Sequence, residues 1–360
     1  MSFEAWLPIR KVAILIVSYN SYTELLACLS AVSRLAHRDH AIFICENGST
    51  DSFQKLDAHL ADSCSSVSVD TNDPIVGTAR ETHYRTVGGQ DIWLLHAATN
   101  VGYAGGVNIC VRAADRYFRW DAIWILNPDT HPEENALSAL VKRGTSQPFA
   151  VIGSRLLFET SARIQMYGGY WRAWIARGKA IGLGNDRDFN PSTTDVERQQ
   201  QFVSGAAFFA SKPFVAAAGP MDEQYFLYNE DLDWCFHRGS LPLLYEHHAI
   251  VLHAHGTSIG SSEHAQMRSP LAIYLEERNK LIFTRKHYPL RYPLVVLICF
   301  ALCHQYLLRG TWRGYSTAVR GWLAGLCGGI GRPDEKLMRQ VFRTSASVKA
   351  DLGRSSVGRT

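Results

Sequence analysis

Three acidic side chains fall within four positions at Glu230, Asp231 and Asp233, in the stretch NEDLDW. Carboxylates this close repel one another, so a polar pocket must hold them or some must ionise unusually. A carboxylate held in that way can take the proton of a hydroxyl as the hydroxyl attacks. Taken alone, the cluster reads equally well as an acidic helix N-terminus favoured by the macrodipole. His253 and His255 lie two positions apart in VLHAHGTSIG. On a strand they point to the same side, which favours a shared site. Four more polar clusters each follow a short apolar run: SYN at 18–20, ENGSTD at 46–51, NVGYAGGVN at 100–108 and NPDT at 127–130. Asn, Asp and Gly at strand ends can hydrogen-bond a nucleotide and bring backbone N–H groups close to phosphates. One such cluster is most often a turn. Four on one sheet edge reverse that reading.

The elements that would carry these groups follow from hydrophobic patterning. Apolar runs at 12–17, 41–45, 92–95 and 123–126 read as buried strands, and helical spacing appears at 23–32, 52–60 and 104–117. Strands separated by helices predict βαβ units in a largely parallel sheet, with ligand at the carboxyl ends of the strands. A second region, 151–285, has short runs at 151–157 and 202–210 and glycine-rich turns. Its polar stretch 184–201 is expected to form a mobile surface loop. The organisation expected is a nucleotide-binding half over 1–150 and a catalytic, acceptor-binding half over 151–290. An apolar and basic helical region at 291–332 and a flexible tail at 333–360 complete it.

Composition sets limits on partners. The chain has 360 residues, 46% hydrophobic and 19% charged, enough to bury a substantial core. A net charge of +4 is too mild for a nucleic-acid binder. None of the eight cysteines forms a CxxC pair, and most sit in apolar runs, which suits a reducing cytoplasm. The apolar stretch 292–308 is interrupted by His304 and Gln305 and has basic residues at both ends: Arg285, Lys286 and Arg291 before it, Arg309, Arg313 and Arg320 after it. Basic flanks on both sides suit a helix lying in the interface of an anionic membrane, and a buried core helix fits the pattern as well.

The ordered set VAILIVSYNS, ENGSTD, NVGYAGGVN, ILNPDT, FVSGAAFFASK, GPMDEQYFLYNEDLDW, VLHAHGTSIG and SPLAIYLEERNKLIFTRKHYP resembles the family 2 glycosyltransferases of the GT-A fold, over roughly residues 10 to 290. The rhamnosyltransferase-like enzymes of bacterial polysaccharide assembly are the subgroup it resembles. The resemblance implies an α/β fold with a Rossmann-like, mostly parallel sheet flanked by helices. It implies that Tyr19, Asn20, Glu46, Asn47, Asp51, Asn100, Gly102 and Asn127 line the nucleotide. Glu46 stands where the family more often has Asp. Asp129 matches the last carboxylate of the family's metal-binding DxD motif, with Asn127 in place of the first, and an amide is a weaker ligand for a hard cation. His253 falls at the family's metal-site histidine, with His255 as the fallback, and Mg²⁺ or Mn²⁺ would be the ion. Asp231 matches the catalytic base, with Glu230 and Asp233 supporting it or orienting the acceptor. Arg278, with Tyr274 beside it, is expected to face the diphosphate, although an ordinary salt-bridged Arg accounts for it too.

The implied activity is an inverting transfer from a dTDP-, UDP- or GDP-linked sugar to a hydroxyl of a growing cell-surface glycan or lipid-linked acceptor. It would take place at the cytoplasmic face of a membrane. A sugar nucleotidyltransferase would need a Gly-rich, basic triphosphate loop near the first strand, which VSYNSYTEL does not supply. An inactive, transferase-like scaffold is the alternative outside catalysis, and Asp129 and Asp231 speak against it.

Overall fold

The computed structural model describes Trp6 and residues 8–67, 74–254 and 269–338. His255 and residues 339–360 lie outside the described residues. The chain divides into two compact units. The first takes in the chain up to Tyr170, Gly178–Glu223 and Glu230–Ala254. The second takes in Trp171–Arg177, Gln224–Asn229 and residues 269–338.

In the first unit the predicted strands at 12–17, 41–45, 92–95 and 123–126 form, with the predicted helices after the first three. The antiparallel strands at 65–67 and 78–85 are additions that patterning did not show. Strand β1 (Val12–Ser18) leads into helix α1 (Tyr22–Ser33), β2 (His40–Glu46) into α2 (Thr50–Ser63). Strands β3 (Ser65–Val67), β4 (Thr78–Arg85) and β5 (Asp91–Ala97) precede α3 (Gly102–Tyr117). Then come β6 (Ala122–Leu126), β7 (Thr130–Pro132), α4 (Ala136–Ser146), β8 (Val151–Phe158) and β9 (Ile164–Met166). Strands β10 (Gly169–Arg172) and β11 (Arg177–Ala180) pair as a hairpin, followed by α5 (Thr193–Gln199), β12 (Ala207–Ser211), α6 (Lys212–Ala218), α7 (Glu230–Phe236) and β13 (Leu243–His253). The main sheet runs in the order β3-β4-β5-β2-β1-β6-β12-β8-β13-β7, with β9 on β8.

The four strands β5, β2, β1 and β6 are neighbours and mutually parallel, with Ser18 level with Glu46 and Ile16 level with Leu126. This register places the ends of all four polar-cluster strands along one edge. Period-two alternation sends successive side chains to opposite faces. Ile14 and Ile16 pack with residues of α1, α2 and α4, whereas Ala13, Leu15 and Val17 pack with α3, α6 and α7. Both faces of β1 are therefore covered, which explains its unbroken apolar run.

The stretch 184–201 departs from the expected loop. Helix α5 occupies Thr193–Gln199, capped by the Ser192 hydroxyl, which accepts from the Asp195 N–H. Val196 is buried and Glu197 pairs with Arg143 at 2.7 Å, so tertiary contacts fix a segment whose composition alone reads as solvated. Leu337 and Met338, within the segment expected to be a flexible tail, are buried against Phe226, Leu271 and Leu275.

The second unit consists of helices α8 (Pro270–His287), α9 (Tyr292–Cys303), α10 (Gln305–Leu308) and α11 (Trp312–Leu326), with the segments Trp171–Arg177 and Gln224–Asn229. The helical unit thus begins with α8 rather than at residue 291. Helix α11 approaches α8 through glycines. A Cβ on Gly321 would meet the Tyr274 carbonyl at 2.3 Å, and one on Gly325 the Arg278 carbonyl at 2.7 Å. The segment Gln224–Asn229 holds three non-glycine residues at positive φ, Phe226, Tyr228 and Asn229. Such backbone persists only where its surroundings over-determine it. Asn279, fully buried, supplies that constraint by donating to the carbonyls of Tyr225, Leu227 and Tyr228 at 2.7 to 3.0 Å. Asn279→Ala removes the donor that these carbonyls share and is expected to destabilise the protein by about 3 kcal/mol, read as a lower urea midpoint.

Candidate active site

The edge formed by β5, β2, β1 and β6 is knitted together by its own loops. The Asn47 amide donates to the Gly102 carbonyl at 2.9 Å, and its oxygen accepts from the Val101 N–H at 2.9 Å. Asn100 accepts from the Gly102 N–H at 3.0 Å, and the Ser49 hydroxyl donates to Asn20 at 2.7 Å. Gly48 has φ +85°, and a Cβ there would lie 2.4 Å from the Asn100 nitrogen. The two loops meet backbone to backbone, which only glycine permits. Of the residues expected to line a nucleotide, Asn47, Asn100 and Gly102 therefore shape the loops. Tyr19 and Asn20 sit at the rim of the edge. Asp51 is exposed on the first turn of α2 and pairs with Lys55 at 2.8 Å.

Glu46 is the buried acid of this edge. It is 1% exposed, and neither of its oxygens, nor the adjacent Ser18 hydroxyl, reaches a partner at full hydrogen-bond geometry. Burial pushes its carboxyl up to about 7, while the Ser18 hydroxyl and Asn20 N–H lean towards it and partly offset the rise. A buried acid without full partners costs free energy unless a ligand satisfies it.

A second group lies where β13 meets β7. Their antiparallel register sets His253 level with Thr130. The turn at 127–130 is closed by the Thr130 hydroxyl and N–H, both donating to the Asn127 carbonyl, and the Ala254 N–H donates to the Asp129 carbonyl at 3.0 Å. The result is a buried pair: His253 Nε2 stands 3.3 Å from Asp129 Oδ1, with the Asn127 amide 3.5 Å from the same nitrogen. His253 Nδ1 stands 3.0 Å from Gln165 Oε1. An amide oxygen only accepts, so Nδ1 donates to Gln165 and Nε2 is the ring atom that faces Asp129. An imidazole nitrogen and a carboxylate oxygen facing each other inside the protein form a donor set that fits a divalent cation. Gln165 was not legible from sequence, since only the pairing of β9 with β8 brings residue 165 to the histidine.

The third group is the acidic cluster. Asp231 keeps some exposure, and its two oxygens accept from the Gly205 N–H and the Leu232 N–H, each at 2.8 Å. Burial raises its proton affinity and the backbone N–H groups pull it back. Tyr103 donates to the Gly205 carbonyl at 2.8 Å, and its own phenol is pushed up by burial first and then by Glu230 and Asp231. The loop at Gly205 thus ties Tyr103, from the glycine-rich third cluster, to the acid; the reading of single motifs missed this role. Glu230 and Asp233 are buried beside it, Asp233 with His237 Nε2 at 4.0 Å.

The expectation that Arg278 faces a diphosphate is corrected. Its guanidinium is buried and donates to Asn279 Oδ1 and to the carbonyls of Gly331, Gln224 and Tyr225, with the ring of Tyr274 5.9 Å away. It holds the same segment that Asn279 holds. Of the aromatic side chains in this part of the chain, Trp171, Tyr225 and Phe226 are buried and Trp174 is exposed.

An α/β sheet with a parallel centre and polar strand ends along one edge, together with the similarities that follow, marks the GT-A class of nucleotide-sugar-dependent glycosyltransferases. Among solved structures the fold is similar to GalNAc-T7 with UDP, GalNAc and Mn²⁺ (TM-score 0.55, 13% identity, 83% of this chain and 52% of that one). It is also similar to the Pyrobaculum calidifontis mannosyltransferase PcManGT in complex with GDP-Man and Mn²⁺ (TM-score 0.50, 11% identity, 90% of this chain and 87% of that one). The chain spans about half the length of the first. Residues 13–190 match the model of glycosyl transferase family 2. The sequence is 24% identical over 283 residues to the N-acetylglucosaminyl-diphospho-decaprenol L-rhamnosyltransferase of Mycobacterium tuberculosis, covering 73% of this chain and 83% of that protein. It is 20% identical over 258 residues to the low-salt glycan biosynthesis hexosyltransferase Agl10 of Haloferax volcanii, covering 68% and 78%. Residues 13–190 are thus a family 2 glycosyltransferase domain, and the chain is rhamnosyltransferase-like.

Two outcomes test this geometry. Because Glu46 holds its proton more tightly folded than unfolded, the stability its neutral form contributes is present below about pH 4.5 and lost as pH rises to about 7. Glu46→Gln, which never ionises, is expected to gain up to roughly 3 kcal/mol over the native protein across that window, seen in urea unfolding at several pH values. Gln165→Leu frees the His253 tautomer and is expected to weaken Mn²⁺ binding by about 10- to 100-fold in calorimetry, with the fold retained.

Proposed function

We propose that this enzyme transfers a sugar, rhamnose in particular, with inversion from a nucleoside diphosphate donor to a hydroxyl of a growing cell-surface glycan or lipid-linked acceptor. The observation that carries the proposal is the Asp231 carboxylate, fixed by two backbone N–H groups and raised in proton affinity by burial. Such a carboxylate is pre-oriented and basic enough to act on a hydroxyl. Asp231 takes the acceptor proton as the oxygen attacks the anomeric carbon. The bond from that carbon to the diphosphate breaks, and its electron pair leaves with the nucleoside diphosphate. One displacement inverts the anomeric centre. Glu230 and Asp233 keep the pocket polar, and the neutral Tyr103 phenol holds the Gly205 loop against the base. Mg²⁺ or Mn²⁺, held by Asp129 and His253 with Asn127 beside them, would neutralise the charge developing on the leaving diphosphate. Tyr19, Asn20 and Glu46 would contact the nucleotide base and ribose.

The rhamnosyl preference is supported by the mycobacterial relative, named as a rhamnosyltransferase acting on N-acetylglucosaminyl-diphospho-decaprenol. In this reading the enzyme works in the cytoplasm, peripheral on the inner face of an anionic cell membrane. Buried free thiols at Cys28, Cys45, Cys110 and Cys235 suit a reducing compartment. No helix among the described residues is long and apolar enough to cross a membrane.

The test is calorimetric binding of dTDP, UDP and GDP with and without Mn²⁺, followed by transfer assays. Metal-dependent binding of one nucleotide, lost in Asp129→Ala, is expected. Asp231→Asn is expected to keep nucleotide affinity within about twofold while transfer falls by at least about 100-fold. Unchanged transfer in Asp231→Asn would make the carboxylate structural and leave the scaffold reading in its place.

A further inference from the structure

We infer that one face of the helical unit, centred on α9, is the surface on which the enzyme docks to an anionic lipid bilayer. The inference deepens the membrane-peripheral reading above and rests on it. Helix α9 buries Val295, Val296, Cys299 and Cys303 on one side. Its opposite side is also apolar: Leu294 is 50% exposed, Leu297 66% and Phe300 38%. A helix apolar all round belongs in a core or in lipid, and half of this one is in neither among the described residues. Scattered surface leucines need no explanation, but a stripe along one helix does. Leu308, 89% exposed, and Trp312, 70% exposed, add to the same unit's apolar surface at the start of α11.

Charge decides between an anionic bilayer and an apolar protein partner. No aspartate or glutamate occurs between Glu277 and Asp334, while Arg285, Lys286, Arg291, Arg309, Arg313 and Arg320 all fall there. Arg309 and Arg313 are exposed and flank the exposed pair Leu308 and Trp312. Arg291 lies over the exposed Trp174 ring at 4.6 Å, which sets an indole beside a cation, as at a lipid interface. A stretch of chain with cations and no acid, carrying an apolar stripe, matches lipid headgroups around acyl chains, although Arg320 at its end pairs with Asp334 at 3.6 Å. At twelve residues, α9 is about 18 Å long, too short for a bilayer core of about 30 Å, so it lies in the interface rather than crossing.

Co-sedimentation of the full chain with phosphatidylcholine vesicles, with and without phosphatidylglycerol, tests this. Binding is expected only with phosphatidylglycerol, weakened by salt, and reduced on the order of tenfold or more in the Leu294→Glu/Leu297→Glu double variant. Nucleotide binding measured on the same samples separates the readings: its retention with loss of vesicle binding supports the docking face. Its absence in the native protein would sink the transferase reading instead. Should the double variant fail to fold, Leu308→Glu, at an almost fully exposed position, reads the same effect. Vesicle binding unchanged in a folded variant overturns the inference. So does a native dimer that these substitutions dissociate without any vesicle binding, since the stripe would then join two copies of the chain.

Discussion

The parallel register of β1 between β2 and β6 governs the first unit. It levels Ser18 with Glu46 and Ile16 with Leu126, so the chain turns from apolar to polar at one height across adjacent strands. Covered on both faces, β1 is anchored by burial, and a one-residue slip would send each side chain to the wrong layer. The polar ends inherit that precision. Their loops are then locked to one another through Asn47, Asn100 and the bare backbone of Gly48. The same rigidity leaves Glu46 and Ser18 short of full partners, a cost in stability that fits a surface built to receive polar ligand atoms.

The chemistry is distributed differently from the charges. Asp231 is controlled by backbone, through Gly205 and Leu232, and His253 by an amide, through Gln165. The arginine of the motif region expected at the diphosphate, Arg278, is buried against carbonyls and works with Asn279 on Gln224–Asn229, the segment that precedes Glu230 in the chain. Three left-handed non-glycine residues there need such restraint. A guanidinium, with its fixed fork of donors, is suited to collecting several carbonyls at once.

The helical unit follows another rule. Glycines let α11 close on α8, while Leu294, Leu297 and Phe300 stand outward on α9. Packing of this kind needs no large side chains between the helices, which leaves leucine, phenylalanine and tryptophan available at the surface among arginines.

The sequence by itself determined the βαβ order, the apolar strands of the sheet centre and the residues at their carboxyl ends, because period and polarity act locally and a buried parallel strand shows its burial in every residue. The nomination of Asp129, His253 and Asp231 came from their resemblance to a family's motifs, but their companions did not come with them. That Gln165 sets the histidine tautomer, that Tyr103 reaches the Gly205 loop, and that Arg278 turns to carbonyls depend on strand pairings and chain reversals across tens of residues. The helix at Thr193–Gln199, read as loop from its polarity, is fixed by a buried valine and an ion pair to α4. Only tertiary structure decided these, since a side chain's role follows from the neighbours that folding brings to it, and composition does not record them.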